Sequence, residues 1–377
     1  TLFRSPGSTF DKNIIDLGIN YNLTEKLLVQ VNANYSIEDK VNPPVVGGQD
    51  YNINNTLFTL ANSIDLAWLE DPYMDANGNE QPLSRFTNRT NPYWTINKRF
   101  ENYSRNRLFG NILLKYQLTD WLFIQGRMGQ DQFSIQHDRN RPTGTRFLGA
   151  AASGFNGDYF QESQDFTENN LDFMIGANKK FGDFGFDISI GGNRMDNINE
   201  NLNTSVTNFY VRDLYTIGNG ITKNPSYSYS HKRVNSIYGT LDISFRDFLF
   251  LNGTARNDWF STLNPESNSY LYPSISASFL FTEALKSVMP EWLDYGKVRI
   301  AYAEVGGDTS PYAGALNYDI STNPFNGFAL GGINSGTSPN AFLKPLKVKE
   351  SEIGLELMMF DRRIMLDMAA YNKNTVD

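Results

Sequence analysis

Residues 248–281 read FLFLNGTARNDWFSTLNPESNSYLYPSISASFLF, and they decide the fold. One set of alternate positions is oily: Leu249, Leu251, Gly253 and Ala255, then Leu271, Ile275, Ala277, Phe279 and Phe281. The other set is wet: Asn252, Thr254, Arg256 and Asp258, then Ser274, Ser276 and Ser278. A period of two means extended strands with one apolar and one polar face. Each arm is long enough to cross a bilayer as a tilted strand of about 9–11 residues.

The same design recurs on both sides. Ile15, Leu17, Ile19, Tyr21 and Leu23 alternate with Asp16, Gly18, Asn20 and Asn22, and a Thr24-Glu25-Lys26 turn starts a matching strand. Leu108 to Leu118 and Leu122 to Met128 repeat it across Thr119-Asp120. Further hairpins turn at Gly182-Asp183, Arg246-Asp247 and Asp361-Arg362-Arg363. The pattern predicts about twelve antiparallel strands, at 10–23, 27–38, 99–117, 121–136, 163–181, 184–200, 231–246, 248–262, 270–282, 295–308, 348–360 and 363–374. Connections alternate between tiny turns and long loops. Within the first long loop, residues 57–69 fit a short amphipathic helix.

Composition narrows the class. The 377 residues contain no cysteine, so disulfide frameworks and cysteine-based metal or nucleophile sites are excluded. The net charge of −8 argues against nucleic acid as a partner. Mean hydropathy is −0.43, and no apolar run reaches the roughly 18 residues of a spanning helix. A β-barrel shows lipid only every second residue, so modest hydropathy does not exclude a membrane.

In hydrocarbon every backbone polar group must pair within the protein, which a closed antiparallel barrel achieves. The polar face carries Asp16, Lys115, Arg127, Asp172, Asp242 and Arg299 among many charges. So many ions do not pack against a second sheet, but they suit a hydrated or plugged bore. The expected fold is therefore all-β: an antiparallel transmembrane β-barrel, incomplete, with short periplasmic turns and long external loops. Aromatic residues are expected in two girdles. Tyr21, Tyr116, Trp121, Phe123, Phe181, Phe184, Phe245, Phe248, Phe281 and Phe360 mark the short-turn end. Tyr35, Tyr103, Phe133, Trp259, Phe260, Tyr270 and Tyr371 mark the long-loop end.

Several motifs resemble those of the SusC/RagA-type TonB-linked outer-membrane transporters. They are Asn252 to Leu263 (NGTARNDWFSTL) with Tyr270 to Ser274 (YLYPS), Leu118 to Leu122 (LTDWL), Tyr295 to Tyr302 (YGKVRIAY), and Leu343-Lys344-Pro345 with Lys349 to Glu356 (KESEIGLE). The resemblance implies a barrel of more strands than these, with an N-terminal plug and a TonB-engaging segment. It implies import of glycans or peptides driven through the TonB complex, with a SusD-like surface lipoprotein as lid. It also implies the outer membrane of a Gram-negative, Bacteroidetes-type cell, and outer-membrane lipid around the wall. This sequence shows no signal, plug or TonB-engaging segment, so residues 6–377 read as a partial barrel domain of a longer protein. Residues 1–5, Thr1-Leu2-Phe3-Arg4-Ser5, match a translated sequencing-adapter end and are expected to be non-native. The source genome at this point checks that.

No enzyme site is expected. His137 and His231 read as solvated loop histidines far apart in sequence. Glu352 and Glu356 share the polar face, where charge lining the bore is the simpler account of a carboxylate pair. Asp75 to Glu80 (DANGNE) has oxygen ligands at alternate positions, but Gly78 falls fourth and Phe86 occupies the twelfth place, so an Asx-rich turn is expected rather than a calcium loop. Gly306-Gly307 precedes no helix, against a phosphate loop. The loop aromatics Tyr93, Trp94, Phe155, Tyr159, Phe209, Tyr210, Tyr227 and Tyr229 fit two roles equally, stacking on substrate or holding the loops together. Substrate contact is expected at bore residues near the external end: Arg127, Asp131, Arg256, Asp258 and Trp259, with Arg256 and Asp258 alternatively an ion pair that braces the wall. No cofactor is expected. Two rival readings are a passive outer-membrane porin or adhesin barrel and a soluble carbohydrate-binding β-sheet protein.

Overall fold

The structure is a computed structural model and describes residues 7–45, 47, 51–81, 90–146, 155–321, 324–333 and 338–376. The expectation on residues 1–5 and the role of Phe86 lie outside them. Twelve strands form one antiparallel sheet in the order β1-β2-β3-β4-β5-β6-β7-β8-β9-β10-β13-β14. They are β1 Thr9–Asn22, β2 Leu27–Val41, β3 Glu101–Gln117, β4 Leu122–Arg141, β5 Asp158–Phe181, β6 Phe184–Phe209, β7 Gly220–Phe245, β8 Leu249–Phe260, β9 Ser269–Leu280, β10 Leu293–Gly307, β13 Leu346–Met359 and β14 Ile364–Val376. A two-stranded hairpin, β11 Tyr318–Ile320 and β12 Gly331–Ile333, sits in the last long loop. β1 and β14 are the two edges, and no ladder joins them among the described residues.

Local chemistry sets the turns. Thr24 Oγ1 accepts from the amides of Lys26 (3.2 Å) and Leu27 (3.0 Å). Thr119 Oγ1 repeats this with Trp121 (3.4 Å) and Leu122 (3.1 Å). Such hydroxyl-capped turns reverse the chain in a few residues. Arg246 and Asp247 both take positive φ, 47° and 57°, as a tight hairpin turn with the right-handed strand twist requires.

Register fixes the faces. Ile175 opposes Ile190 and Ile188 opposes Leu241, while Asp172 opposes Asn193 and Asp187 opposes Asp242. The apolar rows stay open: Ile190 is 60% and Ile275 63% exposed. A soluble sheet would bury such rows in a dry core. Buried apolar residues instead gather at the long-loop end, in Val234, Phe260, Leu263 and Tyr272 and in Tyr159, Val206 and Phe209.

Several expectations need correction. Segments 137–162 and 200–230 are not simply loops. β4 runs to Arg141, β5 starts at Asp158, β6 runs to Phe209 and β7 starts at Gly220. These extensions lack a continuous apolar row, so periodicity does not mark them, yet ladder hydrogen bonds and a small cluster of Tyr159, Val206 and Phe209 sustain them outside hydrocarbon. Residues 57–69 form no single helix. α1 Ile53–Thr59 is capped by Asn52, whose side chain accepts from Asn54 N, and α2 Ala67–Glu70 is one short turn. The short-turn girdle is real on the apolar face, where Phe184 packs on Phe245 (4.7 Å), Phe245 on Phe248 (5.4 Å) and Phe248 on Phe279 (6.0 Å). Phe123 does not belong to it, because it opposes Gly176 on the polar face. The long-loop girdle is thinner than expected. Parity leaves Tyr35 and Trp259 on the apolar face and turns Tyr103, Phe133, Phe260, Tyr270 and Tyr371 to the polar one.

Candidate functional site: a polar tract on the inner wall

The polar face of β4 to β8 carries one continuous row. Cα partners run Arg127 to Asp172, Asp172 to Asn193, Asn193 to Ser236, and Ser236 to Asp258. Four inter-strand steps put Arg127 and Asp258 about 19 Å apart along the wall. Hydrogen bonds link what lies between. Tyr238 Oη donates to Asp172 Oδ2 at 2.9 Å, and Asn193 Nδ2 donates to Asn170 Oδ1 at 2.6 Å. Arg256 donates through Nε to Asp258 Oδ1 (2.7 Å) and through Nη2 to Ser236 Oγ (2.7 Å).

The five candidate residues thus divide. Arg256 and Asp258 form the ion pair foreseen as the bracing alternative. Asp131 accepts from Arg107 Nε at 2.7 Å across β3 and β4, with a second bond from Arg107 Nη2. Arg127 makes no hydrogen bond to a described residue and is exposed among Asn111, Gly129 and Asn170. Trp259 follows Asp258 directly, so it stands on the apolar face, opposite Asn235 and Ser269. It therefore cannot line a bore that the other four line. Sequence reasoning placed Asp172 on the polar face without assigning it to the site, and it missed Asn193, Ser236 and Tyr238, although each has the parity of that face.

Toward the short turns the tract widens into a cleft of about 530 Å³ lined by Asp187, Asp242, Asn252, Lys297 and Arg299. Glu356 pairs with Lys297 (2.8 Å), and Glu352 with Arg299 (3.1 Å), so these glutamates are wall ion pairs as expected.

Above the sheet, the long loops tie into one cap. Glu80 is buried and accepts from the amides of Asn91 (2.7 Å) and Arg146 (2.6 Å). Trp94, on α3 (Pro92–Lys98), is buried and donates Nε1 to Thr145 Oγ1 at 3.0 Å. Arg212 reaches Asn77 O (3.2 Å), Asn79 Oδ1 (3.2 Å), Gly78 O and Thr143 O (3.3 Å). Asp75 Oδ1 accepts from the amides of Asn77 (2.9 Å) and Asn79 (2.8 Å), which is an Asx-type turn. Those amides, led by Asn79, hold its carboxyl below the ordinary range. Burial divides the loop aromatics. Trp94, Tyr159 and Phe209 hold the cap together, whereas Tyr210, Tyr227 and Tyr229 are exposed. Burial pushes the neighbouring Tyr215 hydroxyl up to about 12.

The histidines are not solvated loop residues. His137 lies on β4 between Glu101 (Nε2, 3.1 Å) and Glu162 (Nδ1, 3.3 Å), and His231 on β7 meets Asp196 at 3.0 Å. His137 stands in the extension of β4 past the expected strand 121–136, and His231 at the outer end of the expected strand 231–246.

An antiparallel wall with an open apolar face, a charged inner face and capped external loops defines an outer-membrane barrel of the receptor and transporter class. The chain belongs to the family of TonB dependent receptor-like β-barrels, which it matches over residues 46–377. That family works in the Gram-negative outer membrane and comprises receptors and transporters rather than enzymes. The chain is 21% identical to TonB-dependent receptor P26 of Formosa agariphila over 98% of its own length and 37% of that protein's. It is 21% identical to TonB-dependent receptor P3 of the same organism over 76% of its length and 29% of that protein's. It spans well under half the length of these relatives. Among solved structures, it superposes on a chain of the RagAB peptide importer with TM-score 0.78 and 14% identity, covering 98% of this chain and 40% of that one. The ferripyoverdine receptor of Pseudomonas aeruginosa gives a TM-score of 0.52 at 14% identity, covering 97% of this chain and 42% of that one. At such identities the likeness shows the fold.

Proposed function

We propose that this chain is the wall of a TonB-driven importer of short peptides in a Bacteroidetes-type outer membrane. On this reading a longer protein supplies the plug and the TonB-engaging segment, and a SusD-like surface lipoprotein covers the capped loops. The observation that carries it is the mixed-sign tract from Arg127 to Asp258, which sets donors and acceptors side by side across five strands. Peptides present both charges and both hydrogen-bond senses, so such a wall offers them exchangeable partners without one deep well. The fold likeness to a peptide importer supports the same reading. The wall performs no covalent step.

A second reading, import of oligosaccharides, is favoured by the exposed Tyr210 beyond the end of β6, whose ring suits stacking on sugars. Uptake of labelled peptide and oligosaccharide libraries by cells with and without the gene tests both. Peptide uptake that requires the gene and an intact TonB complex is expected. Uptake that persists without TonB would identify a passive porin, and gene-dependent uptake of sugars alone would replace the peptide reading.

A further inference from the structure

The apolar face of β6 and β7 ends in a cationic cluster. Along β6 the outward series is Phe184, Phe186, Ile188, Ile190 and Gly192, and then Arg194 and Asp196. That apolar stretch matches the roughly 9–11 residues that span hydrocarbon, so Arg194 stands where the long-loop side of the membrane begins. On β7, Arg233 opposes Asp196, and His231 lies one outward step further along.

Asp196 is the hub. It accepts from Arg194 Nε (2.9 Å), Arg233 Nε (2.6 Å) and His231 Nε2 (3.0 Å). Burial raises its carboxyl, but the hydrogen bonds from Arg194, Arg233 and His231 outweigh that and hold it well below the carboxylate range. The carboxylate is tucked under at 19% exposure, while Arg194 and Arg233 stay open at 47% and 37%. Each guanidinium spends only Nε on Asp196, and among the described residues both Nη groups of each lack a hydrogen bond. One anion thus aims two arginine forks that it does not saturate. Trp259 lies in the same outward row, Arg194 to Asn235 to Trp259, as an interfacial indole does. β10 and β13 repeat the arrangement, with Glu304 held by Lys347 (2.8 Å) and Lys349 (3.8 Å) on the same face.

We propose that Arg194 and Arg233 form a binding site for the phosphate group of an anionic lipid in the outer leaflet, with Asp196 as the positioning residue and Trp259 against the sugar or acyl boundary. Guanidinium forks match phosphate oxygens two by two, and a headgroup phosphate lies at this depth. Such a site fixes the wall's height and rotation in the membrane, independently of what passes through the bore.

Native mass spectrometry of the full-length protein, with phosphorylated lipid A and its phosphate-free form as probes, tests this. Selective retention of the phosphorylated form is expected. The Arg194→Gln/Arg233→Gln variant should retain about 25-fold less, at about fivefold or 1 kcal/mol per cation near an anionic surface. If the double variant does not reach the membrane, Arg233→Gln alone should retain about fivefold less. Arg246→Gln, at the opposite end of the wall, should retain as much as the parent. Equal retention of the two lipids, unchanged retention in the variants, or an equal loss in Arg246→Gln would overturn the site. Displacement of the lipid by millimolar inorganic phosphate would show a free-phosphate site and overturn the lipid assignment.

Discussion

Tyr238 on β7 reaches across β6 to donate its hydroxyl to Asp172 on β5 at 2.9 Å. The ring can lie flat there because its direct partner on β6 is Gly191. A Cβ at position 191 would run into the Tyr238 ring and the Phe173 carbonyl. Three strands are therefore pinned by one side chain over one missing side chain, at the centre of the polar tract. The same device recurs where Phe123 lies over Gly176 with Lys115 Nζ 3.9 Å from its ring centre.

Two substitutions separate the parts of this device. Gly191→Val should destabilise the full-length protein by about 1–3 kcal/mol, the range for overpacking a filled site. Tyr238→Phe keeps the ring and removes the donor, and should cost about 1 kcal/mol. Thermal unfolding in detergent measures both. A Gly191→Val protein as stable as the parent would show that the ring does not need the glycine.

Arg256 links Asp258 to Ser236, and reversing its charge places two carboxylates side by side. Arg256 is 43% exposed but Asp258 is buried, so Arg256→Glu should cost about 1–3 kcal/mol of folding stability by leaving that carboxylate without its donor. Peptide uptake should fall about tenfold, while Arg256→Lys, which keeps the charge but not the fork, should fall between. Surface level and uptake, measured on the same cells, decide it. Unchanged uptake in Arg256→Glu would make the pair a wall brace only.

The strands of the membrane band were legible because hydrocarbon enforces strict alternation there. Leu122 to Met128 and Phe184 to Ile190 could be read residue by residue. Beyond the band that constraint lapses, and His137 to Arg141 on β4 shows no apolar alternation although it is strand. His137 falls in such a stretch and His231 at the margin of one, and the carboxylate partners of both come from neighbouring strands that no single-strand pattern reveals. The inner-face residues were legible by parity alone, which also assigns Trp259 to the other side. What parity could not supply is cross-strand register, so the row from Arg127 to Asp258 appears only once partners are known.

The loop cap depends on Glu80. Its two oxygens satisfy the Asn91 and Arg146 amides from different loops, and water does not reach it. Glu80→Ala should destabilise the cap by about 2–4 kcal/mol, since buried donors lose their acceptor. Glu80→Gln keeps one carbonyl acceptor and should cost less. Limited proteolysis between residues 70 and 100 measures this. Protection equal to the parent's in Glu80→Ala would show that the loops are held elsewhere.

His137 gives the cap a dependence on pH whose sign follows from its contacts. Only the doubly protonated ring can donate to Glu101 and Glu162 at once, since neutral imidazole has one N–H. The hydrogen bond to Glu101 raises the His137 value above its ordinary 6.5 against the opposing effect of burial. Burial pushes Glu101 up, but its bonds to His137 and Arg99 outweigh that and hold it below 4.5. A raised histidine contributes stability that is complete below pH 6.5 and fades as pH climbs through the folded value. A depressed carboxylate contributes above pH 4.5 and fades on acidification. The brace joining β3, β4 and β5 is thus strongest between about pH 4.5 and 6.5 and weakens toward alkaline pH. Hydrogen exchange at residues 99–105 and 135–141 should accelerate from pH 6 to 9 more than the chemical rate alone does. In His137→Gln that excess should vanish. An excess that survives the substitution would assign the alkaline loosening to another group.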